Sequence, residues 1–277
     1  LTEIKGGTLQ PYHDVGVPLY GVAVSPNGQQ LAVGGEQDTL VLFDINTGQV
    51  VKRFQSEDKK RFQSEDKKNI KAIVFEPTGK WLASAGYDGK ISFWSLPDGQ
   101  LLKQWEVPHK IIYALAISPD GRYLACGGKT NKLTLWNVST EKQIFPVLQA
   151  HKEKSNILDL AFSPDGKYLA SASDDGTARL WQMETRKEWH ILESGPNNSV
   201  YTVAFSPNSQ LLATGGKGKT VRLWEVKTGT QKRVALVGHK GEVLGIRFFV
   251  LNDYLYLVSA SHDKTLHLWD IDTGVTL

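Results

Sequence analysis

The run LHLWD at residues 266–270 is the last of six similar runs that decide the fold of this chain. Each run is mostly apolar and closes on a large aromatic residue followed by a polar one. The other five are LVLFD (40–44), ISFWS (91–95), LTLWN (133–137), ARLWQ (178–182) and VRLWE (221–225). Successive aromatics lie 42 to 51 residues apart, and the longest interval contains RFQSEDKK twice in tandem, at residues 53–60 and 61–68. The chain is therefore built from a repeated unit.

A second signature, a four-residue turn sequence, precedes five of the six runs. The turns read SPNG (25–28), EPTG (76–79), SPDG (118–121 and 163–166) and SPNS (206–209), whereas the sixth unit reads FFVLNDY (248–254). Proline in the second place and Asp or Asn in the third are typical of type I turns. Each turn is predicted to join two apolar antiparallel strands. Because no segment has a helical period, we expect an all-β fold.

The length of the repeat selects among the all-β architectures. Four short strands per unit, repeated six times, could form a sandwich, a β-solenoid or a β-propeller. Sandwiches do not repeat in sequence, a solenoid coil is much shorter, and about 40–45 residues per four-stranded unit is typical of a propeller blade. The spacing therefore favours a β-propeller.

Over nearly its whole length the chain resembles the WD-repeat β-propeller family, in the style of bacterial WD-repeat arrays. The resemblance implies six four-stranded blades, with seven blades, one of them incomplete, as the alternative. We expect a single domain over residues 1–277. Its repeats are predicted at approximately 18–55, 69–107, 109–150, 151–194, 197–238 and 239–277.

The first 17 residues are predicted to be a partial repeat or a closing strand. EIKGGTLQPYHDVG (3–16) is similar to EVKTGTQKRVALVG (225–238). In one account residues 7–13 supply the outer strand of the last blade, which would remove an exposed sheet edge. In the other, the chain is a stretch of a longer array.

In the WD-repeat family a His, a Ser or Thr, an Asp and the closing Trp form a hydrogen-bonded tetrad within each blade. Two units match it completely, with His151, Ser171, Asp175 and Trp181, and with His239, Ser259, Asp263 and Trp269. The partial sets are Ser84, Asp88 and Trp94; His109, Cys126, Thr130 and Trp136; Thr214, Gly218 and Trp224; and His13, Val33, Gln37 and Phe43.

These tetrads also resemble the His, Ser and Asp of a hydrolase triad. A nucleophilic Ser would need exposure and oxyanion donors, and the set occurs twice. A structural role is therefore favoured, in which buried polar groups satisfy one another. We predict no catalytic residues.

The resemblance also implies a partner-binding top face. Its positions at the start of each first strand hold Tyr20, Lys71, Tyr113, Leu158, Tyr201 and Leu244. Its positions in the turn before each structural Asp hold Glu36, Tyr87, Lys129, Asp174, Lys217 and His262. Strict strand alternation would turn the three tyrosines toward the core, so their exposure requires a β-bulge.

The remaining sequence features argue against other sites. Cys126 is the only cysteine and is predicted to be buried; only His262 and His267 lie close together, so we expect no metal and no cofactor. The glycine-rich GGKGKT (215–220) lies between two strands and is not expected to bind phosphate. No apolar run reaches the ~20 residues of a membrane helix. We expect a cytoplasmic protein.

Charge is nearly balanced, with 32 Lys and Arg against 29 Asp and Glu. The excess of positive charge lies in the duplicated segment, residues 52–68, which we expect to form a solvated loop or an elongated hairpin. We predict a non-enzymatic scaffold or sensor that binds a peptide or partner protein on the top face around the central channel. The chain would be part of a larger protein, with a signalling domain attached outside this segment.

Two other functions stay open. A nucleic-acid-associated scaffold is suggested by the pI of 8.7, but a basic patch would have to recur on one face of several blades. A propeller enzyme would need acid and base residues at the channel mouth, where Asp174 and His262 are the candidates.

Overall fold

The structure, a computed structural model, describes residues 15–54, 69–144, 148–195, 197–232 and 235–277. Every regular element in these residues is a β-strand, and the strands form six antiparallel sheets. The all-β prediction is confirmed for this part of the chain. Packing divides the chain into two compact units, residues 1–108 and 109–277, and each unit is described by itself.

The first unit contains two four-stranded sheets, each with its strands in chain order. The first sheet consists of β1 (Leu19–Val24), β2 (Gln30–Gly35), β3 (Leu40–Asp44) and β4 (Val50–Phe54). The second sheet consists of β5 (Ile70–Phe75), β6 (Trp81–Gly86), β7 (Lys90–Ser95) and β8 (Leu101–Glu106). Each third strand carries one of the runs that close on an aromatic.

The second unit contains four sheets in the same order. The third sheet has β9 (Ile112–Ile117), β10 (Tyr123–Gly128), β11 (Thr130–Asn137) and β12 (Leu148–Gln149). The fourth has β13 (Ile157–Phe162), β14 (Tyr168–Ser173), β15 (Thr177–Gln182) and β16 (Lys187–Glu193). The fifth has β17 (Val200–Phe205), β18 (Leu211–Gly216), β19 (Thr220–Glu225) and β20 (Leu236–Val237), and the sixth has β21 (Val243–Leu251), β22 (Tyr254–Ser261) and β23 (Leu266–Asp270).

The prediction of four strands per sheet therefore fits five sheets. The sixth has three strands in the described residues, and beyond β23 only Thr276 pairs with Trp269, in a single bridge. The strand proposed from residues 7–13 lies outside the described residues, and so does the duplicated segment from residue 55 to residue 68.

The predicted turns join the first and second strands of five sheets, and their residue types explain the geometry. In the fourth sheet the Gly166 amide donates to the Ser163 carbonyl at 2.8 Å, and Gly166 adopts φ +70°, a conformation that suits glycine. The Ser163 hydroxyl donates to Asp165 at 2.6 Å and accepts the Tyr168 amide at 2.9 Å. In four of the five turns a serine hydroxyl donates to an Asp or Asn two places later, whereas in the second sheet the Thr78 hydroxyl donates to Glu76 at 2.6 Å.

The sixth sheet makes its first hairpin differently. Strands β21 and β22 are longer than their counterparts, and they are joined by Asn252 and Asp253, both with positive φ (51° and 65°). Two such residues are typical of a type I′ turn, whose twist matches that of the strands. The loss of the proline turn in this unit therefore changes the turn type and leaves the hairpin in place.

The core of each unit lies between neighbouring sheets. The closing Trp94 packs among Leu42 and Ile73 in the core shared by the first and second sheets. In the second unit Trp181, Trp224 and Trp269 each lie in the core shared with the preceding sheet. Truncating such a buried aromatic costs about 3–5 kcal/mol, so these four Trp side chains are main contributors to packing between sheets.

Glycine at the end of the second strand permits close approach of the first. A Cβ on Gly216 would overlap the carbonyl oxygen of Ser199, and one on Gly215 would lie 2.6 Å from Val243 Cγ1 of the next sheet. A Cβ on Gly128 or on Gly86 would likewise overlap a backbone carbonyl oxygen. These glycines are required because there is no room for a side chain.

Gly216→Ala should lower the free energy of unfolding by about 1–3 kcal/mol, because overpacking forces the backbone to shift. Gly245→Ala is the matched control, since nothing lies within 4 Å of its Cβ position, and it should change stability by less than about 0.5 kcal/mol. Urea unfolding of the two variants measures the difference. Equal losses would contradict the packing described here.

Candidate functional site

The two complete tetrads are formed. In the fourth sheet His151 Nδ1 lies 3.1 Å from Asp175 Oδ2, and Nε2 lies 2.8 Å from Ser171 Oγ. Trp181 Nε1 donates to the same Oγ at 3.1 Å. In the sixth sheet the corresponding distances among His239, Asp263, Ser259 and Trp269 are 3.0, 2.8 and 2.8 Å.

One assignment of protons satisfies every member of the fourth-sheet tetrad. The indole N–H donates to the serine oxygen, the serine O–H donates to His151 Nε2, and His151 Nδ1–H donates to the carboxylate. Burial alone would raise the pKa of Asp175, but the hydrogen bonds from His151 and Thr177 outweigh it and hold that pKa well below its usual range. Ser171 is fully buried, so a substrate cannot reach its oxygen without displacing the core.

The Asp263 carboxylate is held in the same way. Hydrogen bonds from Thr265, and from the Lys240 amide at 2.7 Å, keep the pKa of Asp263 far below its usual range. Because the Lys240 amide belongs to the segment before β21, the tetrad fixes the entry of the chain into the first strand as well as the register of the second and third strands.

The third sheet replaces two tetrad members with threonines. His109 Nδ1 lies 3.0 Å from Thr130 Oγ1, at the Asp position, and Nε2 lies 3.2 Å from Thr134 Oγ1. Cys126, at the Ser position, is buried, and burial raises the pKa of its thiol. Sequence reasoning missed Thr134, because this residue lies on the third strand, where no tetrad hydroxyl is expected.

The other sheets keep only part of the tetrad. Trp94 Nε1 donates to Ser84 Oγ at 2.9 Å, and Trp224 Nε1 donates to Thr214 Oγ1 at 2.9 Å. Asp88 accepts the amide of Lys90 at 3.0 Å. Phe43 and Val33 are buried in the first sheet, while His13 lies outside the described residues.

A β-bulge lies near the start of every first strand. The pairing register shifts at one residue of each, so that this residue has no partner on the second strand. The bulged residues are Tyr20, Lys71, Tyr113, Leu158, Tyr201 and Leu244, the six residues that the resemblance singled out. A bulge turns a side chain away from the alternation of the strand. We call the side chains at these bulges and at the adjoining turns the bulge surface of each unit.

In the first unit four of these side chains form a cluster. The Tyr20 hydroxyl donates to Glu36 Oε1 at 2.7 Å. Lys71 Nζ lies 3.2 Å from the centre of the Tyr20 ring and 5.2 Å from that of Tyr87, within cation–π range. Burial lowers the pKa of Lys71, while the charge of Glu36 opposes the shift. Tyr20 is still 43% exposed.

In the second unit Tyr201 is surrounded by acidic groups. Burial, and then the charge and hydrogen bond of Glu242, raise the pKa of Tyr201, with Asp174 adding to the effect. Asp174 is itself oriented by Asn156, whose backbone and side-chain amides donate to it at 2.7 and 2.6 Å. Glu242 was missed from the sequence, because it precedes the strand and occupies no motif position.

The other predicted residues differ in exposure and join neither group. Leu244 is 51% exposed, Lys129, Lys217 and His262 are exposed, and Leu158 is half-buried. In the described part of the chain none of these five side chains makes a hydrogen bond, ion pair or ring contact with either group. Tyr113 is half-buried at its bulge.

A charged residue beside one bulge connects the fourth and fifth sheets of the second unit. Asp159 Oδ2 accepts the Val203 amide of β17 at 3.0 Å, and Oδ1 accepts the Leu160 amide at 2.9 Å. Burial raises the pKa of Asp159, while the charge of Arg247 on β21 and the hydrogen bonds oppose this. Sequence reasoning gave no role to this carboxylate.

Two kinds of feature are absent from the described residues, a metal-binding cluster and a membrane-spanning helix. No three His, Cys, Asp or Glu side chains in these residues come together in a way that could hold a metal ion. The same residues include no helix that has the length and apolarity needed to span a membrane.

The comparison with protein families gives one result. The model of the WD40 family, "WD domain, G-beta repeat", matches residues 57–95, 99–137, 142–182, 187–225 and 229–270. Each match ends at the last residue of a third strand, from β7 in the second sheet to β23 in the sixth. The first sheet lies outside these matches, although its strand order is the same. No curated protein matches the chain.

His109 makes the stability of the second unit depend on pH. Burial, and then the charge of Lys132, lower the pKa of His109 from 6.5 to about 4. The unfolded state therefore binds this proton more readily, and stability present above about pH 6.5 should be lost as the pH falls toward about 4, by up to about 3 kcal/mol. Urea unfolding from pH 7.5 to pH 4 measures this loss.

The control variant is His109→Gln, which keeps a hydrogen-bonding side chain but has no titrating group. Its stability should change much less over the same pH range. A wild-type curve that matches the variant curve would contradict the role of His109.

Proposed function

Because this chain belongs to the WD-repeat family, whose members generally serve as protein-interaction scaffolds, we propose that it is a non-enzymatic scaffold or sensor. It binds a peptide or a partner protein on its bulge surface. The single observation that carries the proposal is the bulge in each of the six first strands, which turns one side chain per sheet out of the core.

The chemistry of the bulge residues supports this function. Tyrosine presents a large apolar face and a hydroxyl at a small cost in side-chain entropy. The Tyr20 ring is fixed by Glu36 and Lys71, and the Tyr201 hydroxyl is bound by Glu242. Such prior ordering reduces the entropy lost on binding. Tyr20, which is 43% exposed, and the half-buried Tyr201 are therefore both ordered before a partner binds.

We also propose a cellular compartment for the protein and a larger protein of which this chain is a part. A reducing compartment such as the cytoplasm fits a chain whose single thiol is buried and cannot form an internal disulfide. The resemblance to WD arrays supports a role as the recognition part of a larger protein that carries a signalling domain.

The test uses peptides selected from a displayed random library by the full chain, with affinities measured by fluorescence anisotropy. Tyr201→Ala should weaken binding about 30-fold, as expected for a hot-spot residue worth about 2 kcal/mol. The combined Tyr20→Ala, Tyr113→Ala and Tyr201→Ala variant should lose binding and keep its melting temperature.

The controls are Trp189→Ala and Tyr254→Ala. These aromatics are 41% and 62% exposed but lie away from the bulges, on β16 and β22. Both variants should bind as the wild type does. Binding retained by the triple variant, or lost equally by the two controls, would contradict the proposal.

A further inference from the structure

The fifth sheet has the same sequence pattern as the fourth sheet. It lacks, however, the His and the Asp that belong to the tetrad of the fourth sheet. At one constant offset along the chain, Thr214, Thr220, Arg222 and Trp224 correspond to Ser171, Thr177, Arg179 and Trp181. At the same offset Ser194 replaces His151, and Gly218 replaces Asp175. The fifth sheet therefore keeps the surroundings of a carboxylate without the carboxylate.

The fourth sheet shows what those surroundings do. Asp175 Oδ1 accepts the amide and the hydroxyl of Thr177 at 2.9 and 2.6 Å. Its Oδ2 accepts the Lys152 amide at 3.1 Å and lies 4.0 Å from Arg179 Nη2. The threonine and the arginine thus belong to a set of donors that surrounds a negative charge.

In the fifth sheet the missing groups leave a pocket with room for one water-sized group. Its lining includes Ser194, Asn198, Thr214, Gly218, Thr220 and Arg222. The pocket is accessible beside Gly218, which is exposed, and the nearest atom to a Cβ built on Gly218 is Asn198 Cγ at 3.4 Å. Among the described residues that line the pocket, none is acidic.

The guanidinium of Arg222 is bound only to neutral oxygens. Nη1 donates to Gln231 Oε1 at 2.9 Å, and Nη2 donates to the Ser194 carbonyl at 3.3 Å. Its counterpart Arg179 instead forms an ion pair with Glu188 at 2.6 Å. Among the described residues no carboxylate forms an ion pair with Arg222. A positive charge next to a polar pocket attracts an anion.

We propose that this pocket binds small monovalent anions, both chloride and one oxygen of a carboxylate such as acetate, in the position that the Asp175 carboxylate occupies in the fourth sheet. Arg222 supplies the charge, and the hydroxyls of Thr220 and Ser194 supply hydrogen bonds. The glycine-rich turn at residues 215–220 joins two strands, so we still expect that it does not act as a phosphate loop. The site is independent of partner binding by the bulge surface.

The direct test is the line width of ³⁵Cl in NMR spectra of the full chain, with acetate as competitor. The wild type should broaden the chloride signal, and acetate should reverse the broadening. Arg222→Gln should remove it. Arg122→Gln is the matched control, because it removes the same charge from an exposed turn, and it should leave the broadening unchanged.

A second variant supplies the anion covalently. Gly218→Asp should also abolish the broadening, because its own carboxylate fills the pocket. Asn208→Asp is its matched control, because it adds the same charge at an exposed turn position that Asp165 occupies in the fourth sheet.

Thermal unfolding gives an independent readout. At an acetate concentration ten times its dissociation constant, the folded-to-unfolded ratio of the wild type should rise about elevenfold. Gly218→Asp should melt at a higher temperature than the wild type without added anion and gain nothing from acetate.

Absence of chloride broadening in the wild type would overturn the proposal. Equal broadening in Gly218→Asp would also overturn it, even if Arg222→Gln failed to fold.

Discussion

The rest of the structure depends on one hydrogen bond, from a buried indole N–H on the third strand to a hydroxyl on the second. It recurs in four sheets, with distances from 2.8 to 3.1 Å and the same separation of ten residues. A buried N–H without an acceptor is costly, so a hydroxyl that faces the indole stabilises the Trp in the core. A slip of one residue would turn every side chain of the strand to the other face. The bond therefore fixes the register of the two strands and the packing of the Trp together.

The His and the Asp of the tetrad connect the second and third strands to the segment that precedes the first strand. The Asp accepts backbone amides from the segment that precedes the first strand, as Asp263 does from Lys240. That strand, β21, then pairs with β22 and bulges at Leu244. In the sixth sheet the exposed Leu244 and the buried tetrad thus belong to one local structure, in which core packing sets the position of a surface side chain.

Much of this arrangement could be predicted from local sequence. The closing aromatics and the Ser-Pro-Asx-Gly turns each depend on residues close together in the chain, whereas the bulge positions were implied by the resemblance to the WD-repeat family. The family match to five segments bears out the recognition of WD repeats, and the six sheets bear out the fold class, an all-β WD-repeat β-propeller.

What could not be predicted depends on contacts between distant residues. Thr134 binds His109 because the third strand brings it there, and Lys71 stacks on Tyr20 because two sheets meet. Asp159 reaches an amide of the neighbouring sheet, 44 residues along the chain. In each case the partner is determined by tertiary packing and has no fixed spacing in the sequence.

Hydrogen exchange of the indole protons, followed by NMR, tests the central claim most directly. If the bond from Trp Nε1 to the second-strand hydroxyl holds each sheet in register, the indole protons of Trp94, Trp181, Trp224 and Trp269 should be strongly protected. That of Trp189, which is 41% exposed, should exchange rapidly. Ser171→Ala should reduce protection at Trp181 far more than at Trp269. Rapid exchange at all five sites, or protection at Trp181 that is unchanged in Ser171→Ala, would contradict the account.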